Sequence, residues 1–300
     1  MQQTHKITKG VIAVAGSGTR FLPATKSLPK EMLPIVDRPI VHYVVEEMVQ
    51  AGITDIVFVT RADKKVLDDY FDRNFTLEYE LKQAGKTKYL KEVERISQMA
   101  NFISIRQKGP YGNGTPVLNA QSFVGDEPFV FAFGDDLVKS AVSFTKQLLD
   151  NYEHNQSLVV GCQEVEPEEV SSYGIIKLRE NSALMEVEGI VEKPKPEDAP
   201  SRLSSIGRFI LFPEICEILK ECPLGKGGEL WLTDAIQEYI RRGHRVTAQA
   251  VNGGRWYTTG DPLHFLEVTL EYALDREEYG PALRKLLQRY VQREKRNQRH

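Results

Sequence analysis

Gly16-Ser17-Gly18-Thr19-Arg20, with Lys26 and Lys30 shortly after, puts a flexible turn beside three cations. The apolar run Val11 to Ala15 leads into it as a strand would. Glycine lets the backbone approach an anion closely and turn N–H groups toward it. Arginine adds a planar fork of donors and lysine a point charge. That chemistry suits a polyphosphate, so Ala15, Gly16, Ser17, Gly18 and Thr19 read as a nucleotide cradle with Arg20, Lys26 and Lys30 as its cations. The spacing is neither the dinucleotide fingerprint, which needs a third glycine, nor the P-loop, which ends in Gly-Lys-Ser/Thr.

Four further constellations follow. Phe131-Ala132-Phe133-Gly134-Asp135-Asp136 is an apolar strand ending in two carboxylates, at the edge where open α/β sheets bind ligands. Magnesium takes one or two carboxylates together with phosphate oxygens and water. In the segment 106–115, Gln107 carries a donor and an acceptor that suit a pyrimidine edge, and Gly112 and Gly114 let the loop lie flat. Glu192-Lys193 offers a hydroxyl acceptor and a phosphate-binding cation, although strand alternation would split the two across opposite faces. Near the end, Thr258-Thr259-Gly260-Asp261-Pro262 has Asp261 and Pro262 at helix-capping and first-turn positions.

The elements that must carry these residues alternate. Helical spacing runs from about Pro39 to Ala51, Asp55 to Thr60 is a buried-type strand, and a charged helix begins near Asp63. Residues 77–99 read as one lysine- and glutamate-rich surface helix. Strands are expected at 102–106 and 128–133, with a helix over 116–123 between them. This βαβ rhythm predicts an α/β fold, a Rossmann-like single domain with a central mixed, mostly parallel sheet flanked by helices. Further strands are expected at 158–165, 174–178, 184–191 and 206–211, and helices at 213–220 and 232–242. The domain is taken as 1–276, with a nucleotide half at about 8–140, a sugar-phosphate half at about 141–276, and a charged helical tail at 277–300.

The chain has 300 residues and a net charge of −3, enough for a large core and too acidic for a general nucleic-acid binder. Cys162, Cys216 and Cys222 lack zinc spacing and read as reduced core thiols. No apolar run reaches membrane-spanning length, and the segment 1–9 lacks a signal-peptide core, so a cytoplasmic protein without membrane partners is expected. Helices after Asp261 could pair copies into a dimer or tetramer, or serve a core equally well.

The strings GSGTR, LPATK, PKEMLPIVDRP, VEKP and LTDAI closely resemble the sugar-1-phosphate nucleotidyltransferases, and within them the bacterial UTP–glucose-1-phosphate uridylyltransferases. The resemblance covers most of the first 275 residues. It implies uridylyl transfer from UTP to glucose 1-phosphate with Mg2+, by in-line attack of the sugar phosphate on the α-phosphorus. It further implies Arg20 and Lys30 on the triphosphate, Glu31 and Gln107 at the uracil, and Asp135 as the metal ligand. Gly174 and Glu192 would face the sugar and Lys193 its phosphate. The chain departs from that pattern in three places. Gly114-Thr115-Pro116 replaces Gly-His-Ala, Trp231 replaces a glutamine, and Thr258 stands where relatives carry an aspartate. Thymidylyl or other nucleotidyl transfer to a hexose 1-phosphate is one alternative, and a non-catalytic nucleotide-sugar-binding regulatory module, supported by Thr258 alone, is the other.

Overall fold

In the computed structural model, which describes residues 6–297, the first strand is β1 (Lys9–Ala13). Its consecutive Val11 and Ile12 are both fully buried, Ile12 in the core on one face of the sheet and Val11 in the core on the other. Burial on both faces is why the strand reads as an unbroken apolar run. A short hairpin of β2 (Pro34–Ile35) and β3 (Arg38–Pro39) leads into α1 (Ile40–Gln50), within a residue of expectation at each end. Then come β4 (Asp55–Thr60) and α2 (Lys65–Phe71).

The stretch expected as one helix over 77–99 is two, α3 (Phe75–Gln83) and α4 (Thr87–Ser97), parted where Gly85 takes a left-handed φ of 67°. After β5 (Asn101–Arg106), the helix expected over 116–123 is likewise two short pieces, α5 (Thr115–Asn119) and α6 (Gln121–Val124), before β6 (Phe129–Phe133).

Two elements follow that the apolar pattern does not mark, β7 (Asp136–Ser140) and α7 (Phe144–Asn155). The chain continues through β8 (Leu158–Glu164), β9 (Gly174–Leu178) and β10 (Val187–Glu192). β10 starts later than the expected Leu184, because Met185 sits at φ 50° and interrupts the extended backbone. Next are β11 (Leu203–Leu211), α8 (Glu214–Glu221), α9 (Leu232–Arg241), β12 (Val246–Ala250) and β13 (Gly254–Thr258). α10 (Pro262–Leu274) and α11 (Gly280–Asn297) close the chain. Residues 298–300 of the expected tail, and residues 1–5 of the segment read for a signal peptide, lie outside the described residues.

Nine strands form one mixed sheet along the path β10-β9-β11-β6-β1-β4-β5, with β8 pairing β11 and β12 beside it. β6, β1, β4 and β5 are mutually parallel, whereas β11 runs antiparallel to β6 and β8. From β1 the chain steps outward to β4 and β5, then crosses back to lay β6 on the other side of β1. Loops leaving β1 and β6 therefore diverge, and a crevice opens at their carboxyl ends. Cys162 and Cys216 are buried free thiols; Cys222 is only half-buried, at the end of α8, where it is not the core thiol expected.

Candidate functional site

The crevice holds a cavity of about 260 Å3 lined by Ala15, Gly16, Lys30, Glu31, Gln107, Gly112 and Asp135. Residues as far apart in sequence as Ala13 and Trp231 line it, and the glycine turn, Gln107 and Asp135 meet here because three parallel strands end on one edge. Gly16 leaves room for lysine: a Cβ there would come within 3.2 Å of Lys30 Cε. Lys30 Nζ donates to Asp135 Oδ2 at 2.5 Å. Burial alone would raise the Asp135 carboxyl, but the Lys30 ammonium holds it below the usual carboxylate range. Burial likewise opposes the charge on Lys30, and Asp135 and then Glu31 more than offset it.

Glu31 is 1 % exposed and is paired with Lys64, whose Nζ donates to its Oε2 at 2.8 Å and to the Val14 carbonyl at 2.5 Å. Burial raises Glu31 and lowers Lys64, each opposed by the other's charge. Gln107 is anchored by its backbone N–H on the Thr60 carbonyl at 2.8 Å. Its buried Oε1 finds no hydrogen-bond partner among the described residues, and such an orphan usually awaits a ligand or water. Gly112 has φ 129°, and a Cβ on it would lie 2.1 Å from the Leu230 carbonyl oxygen. Only glycine permits that approach.

A second cavity of about 300 Å3 is lined by Arg20, Asp136, Gly174, Glu192, Lys193 and Trp256. Asn113, Phe133, Asp135 and Trp231 line both cavities, so Asp135 stands at their junction. Glu192 accepts from Thr233 Oγ1 at 3.0 Å; burial raises its pKa, opposed by that hydrogen bond and by Lys193. Lys193 takes a left-handed φ of 44°, with its N–H on the Tyr173 carbonyl at 3.0 Å. That turn ends the alternation of β10 and lets neighbouring Glu192 and Lys193 face one cavity, against the expectation from strand geometry.

Arg20 lines the second cavity rather than the first, and its Nη1 donates to the Gly260 carbonyl at 3.3 Å. Ser17, Thr19 and Lys26 are exposed and line neither cavity, while Gly18 shapes the turn with φ 63°. Asp261 caps α10, accepting from the N–H groups of Leu263 at 3.0 Å and His264 at 3.2 Å. Thr258 lies opposite Asp136 in the β13–β7 ladder, and Thr259 donates to the Asp135 carbonyl from its N at 3.0 Å and its Oγ1 at 2.6 Å.

Two supporting groups escape the sequence reading. Arg208 is fully buried, and all its N–H groups are engaged. They reach Glu47 Oε1 at 3.2 Å, Glu47 Oε2 at 3.1 Å, and the carbonyls of Phe133 at 3.2 Å, Gly207 at 3.0 Å and Asp136 at 2.8 Å. The Phe133 and Asp136 carbonyls flank the Asp135 turn. An arginine inside the apolar string Ile206 to Leu211 was the available signal. Lys64, in an ordinary charged stretch, gave none. Asp136 itself is 7 % exposed and accepts from the Gly207 N–H at 3.0 Å. Burial and the Asp135 charge push it up to about 7, against Arg208.

No group of three or more His, Cys, Asp or Glu side chains could hold a metal among the described residues. Carboxylate oxygens at Asp135, already attended by a cation, are a hard donor set that fits a magnesium ion completed by substrate oxygens and water.

A family model described as nucleotidyl transferase matches residues 9–274. A UTP–glucose-1-phosphate uridylyltransferase of Streptococcus pneumoniae serotype 4 is 47 % identical over 290 residues, 95 % of this chain and 96 % of the relative. The solved UTP-bound UGPase from Acinetobacter baumannii superposes with a TM-score of 0.86 at 38 % identity, covering 94 % of this chain and 99 % of that one. A UDP-glucose pyrophosphorylase solved with UDP-glucose gives 0.81 at 38 % identity, over 90 % and 100 %.

Proposed function

We propose the following on the premise that the chain belongs to the nucleotidyl transferase family: it is a UTP–glucose-1-phosphate uridylyltransferase, making UDP-glucose and pyrophosphate. The observation that carries the reading is the junction at Asp135. A cavity with a glycine turn, Lys30 and the unpartnered Gln107 oxygen meets a cavity with Glu192 and Lys193 at that one carboxylate.

In the proposed reaction a phosphate oxygen of glucose 1-phosphate attacks the α-phosphorus of UTP. The α–β phosphoanhydride bond breaks as the new one forms, and pyrophosphate leaves opposite. An ionised phosphate oxygen needs no protein base, so catalysis reduces to positioning and charge neutralisation. Lys30 is assigned to the triphosphate and departing pyrophosphate from the first cavity, and Arg20, which lines the second together with Asp135, to the same groups across that junction, with exposed Lys26 a weaker contributor. Ala15, Gly16, Ser17, Gly18 and Thr19 are assigned to the nucleotide backbone contacts. The uracil is assigned to Gln107, Glu31 and Gly112. With Oε2 accepting from Lys64, the Glu31 carboxyl has its other oxygen to offer the N3–H of uracil. Gly174 and Glu192 are assigned to the glucose hydroxyls and Lys193 to the sugar phosphate. Asp135 would hold Mg2+, which when bound supplies charge stabilisation on the phosphates.

The division into a nucleotide half at 8–140 and a sugar-phosphate half at 141–276 belongs to the same reading. Its support is that Gly16, Lys30 and Gln107 come from the first and Gly174, Glu192 and Lys193 from the second. We also place the protein in the cytoplasm, a reading its free cysteines support; among the described residues no helix is long and apolar enough to cross a membrane. Assembly into a dimer or tetramer is proposed too, supported by Leu263, Leu266 and Leu270, exposed at helical spacing along α10.

Pyrophosphate release from purified protein with glucose 1-phosphate, magnesium and each nucleoside triphosphate in turn tests the reading. Release with UTP that disappears in Asp135→Ala is expected. Equal release with another nucleotide overturns the base assignment, and silence with all overturns the reaction.

A further inference from the structure

Trp231 lines both cavities yet has no part in the reaction as written. Its ring is 8 % exposed and locked in place. Nε1 donates to the Lys226 carbonyl at 2.9 Å. Gly225 makes room for the indole, since a Cβ there would stand 2.8 Å from Trp231 Cδ1. The preceding residue, Leu230, is pinned on both sides, its N–H on the Tyr111 carbonyl at 2.8 Å and its carbonyl on the Gly114 N–H at 2.9 Å. Over this fixed ring lies the ammonium of Lys193, 4.3 Å from the centroid. Lys226 Nζ closes the loop by donating to the Lys193 carbonyl at 3.4 Å.

We propose that Trp231 is a positioning residue for Lys193, its ring face holding the ammonium at the mouth of the second cavity before the acceptor phosphate arrives. The inference rests on the assignment of Lys193 to the sugar phosphate. A lysine stem has more rotamer freedom than almost any other side chain, and an unrestrained ammonium would be ordered only when the phosphate binds. Among the described residues the one carboxylate paired with it, Glu192 Oε1 at 3.8 Å, belongs to the group assigned to sugar hydroxyls. An aromatic face attracts the cation without neutralising it or competing for the hydroxyls.

The test is a double-mutant cycle in steady-state turnover with UTP and glucose 1-phosphate, using Trp231→Ala, Trp231→Phe, Lys193→Ala and the combinations. Trp231→Ala should raise the KM for glucose 1-phosphate about fivefold, as expected for a partly exposed cation–π contact, with the KM for UTP unmoved. Trp231→Phe should recover most of the loss. In the Lys193→Ala background, removing Trp231 should change nothing further. An equal increase in that background would mean that the ring acts on the sugar itself, and overturns the proposal. So would a parallel rise in the UTP KM, which a loosened loop would cause. Should Trp231→Ala fail to fold, Trp231→Gln carries the same cycle.

A wild-type enzyme without turnover would defeat the functional reading alone. The contact is then read by emission in a Trp256→Phe background, where Trp231 is the single tryptophan left of two. Lys193→Ala should shift that emission, and an unchanged spectrum overturns the proposal.

Discussion

Replacing Arg208 with lysine keeps the charge and removes the fork. The guanidinium satisfies Glu47 through two N–H groups and three carbonyls through the others, two of them on either side of Asp135. Lysine has three donors, so at least two of these contacts go, and since Glu47 Oε1 keeps Thr145 at least one buried acceptor is left without a partner. Each buried polar atom left unsatisfied costs about 1–3 kcal/mol, which puts Arg208→Lys about 2 kcal/mol less stable. Arg208→Met goes further, because it strands the Glu47 carboxylate. Breaking a buried pair from one side costs about 3–5 kcal/mol. Glu47 keeps only Thr145, through N at 3.0 Å and Oγ1 at 2.7 Å. Adding Glu47→Leu to Arg208→Met should return part of that loss, since no charge then lies unpaired.

Urea titrations give the stability changes, and turnover at low temperature, where each variant is still folded, gives the positional effect. The Phe133 and Asp136 carbonyls orient the Asp135 turn, so kcat in Arg208→Lys should fall about tenfold while the KM for UTP changes little. A variant within 0.5 kcal/mol of wild type, on the order of the scatter for an indifferent surface site, would refute the hydrogen-bond count. Lost stability with unchanged kcat would leave Arg208 a core pair and remove it from the placement of Asp135.

Lys30→Ala and Arg20→Ala should each lower kcat/KM by about a hundredfold or more, with unfolding midpoints close to wild type; near-normal turnover in both sinks their assignment. Gly112→Ala should raise the KM for UTP by about tenfold, since the new methyl collides with Leu230 at a left-handed position; a KM within twofold of wild type speaks against that loop at the base. His42 is buried, and that burial, with the Arg38 charge, lowers its pKa from 6.5 to about 4. As pH falls the unfolded imidazole takes its proton first, so this contribution is intact above about pH 6.5 and lost on the way to pH 4. Between pH 7 and 5 the loss is about 2 kcal/mol; His42→Leu should flatten that part of the pH–stability curve, and an unaltered slope argues against it.

The parallel half of the sheet was legible because burial on two faces leaves an unbroken signature: β1, β4 and β6 are apolar runs, and their ends carry the glycine turn and the acids. Where backbone conformation, not burial, decides the outcome, the pattern fails. Gly85 splits one expected helix, Met185 delays β10, and Lys193 turns left-handed. That last residue shows the limit plainly. Period-two alternation puts Glu192 and Lys193 on opposite faces, and no rule of composition reports that one φ angle reverses this. β7 went unread because Asp136 and Lys139 interrupt a strand whose partner, β13, lies more than a hundred residues away.

The charges at the crevice show why a site can be visible in its parts and hidden in its working. Lys64, Glu31, Lys30 and Asp135 alternate in sign, Lys64 on Glu31 at 2.8 Å and Lys30 on Asp135 at 2.5 Å. In the free protein each cation is already neutralised by a carboxylate, so Lys30 is not a cation waiting in solvent. On the proposed assignment of Lys30, a triphosphate would compete with Asp135 for it, and success would leave that carboxylate without its partner. Anion binding in the first cavity would thus free Asp135 for a cation at the junction with the second. Motifs name Lys30 and Asp135 separately; their exchange follows only from a contact across 105 residues of chain. Lys30→Ala should accordingly do two things at once: weaken UTP binding, and let Asp135 titrate higher, because the charge that opposed its burial is gone. An acid limb of the kcat/KM profile, which reports the free enzyme, that moves up in Lys30→Ala but not in Arg20→Ala would mark that exchange. Identical limbs in both variants would show that Lys30 and Asp135 act independently.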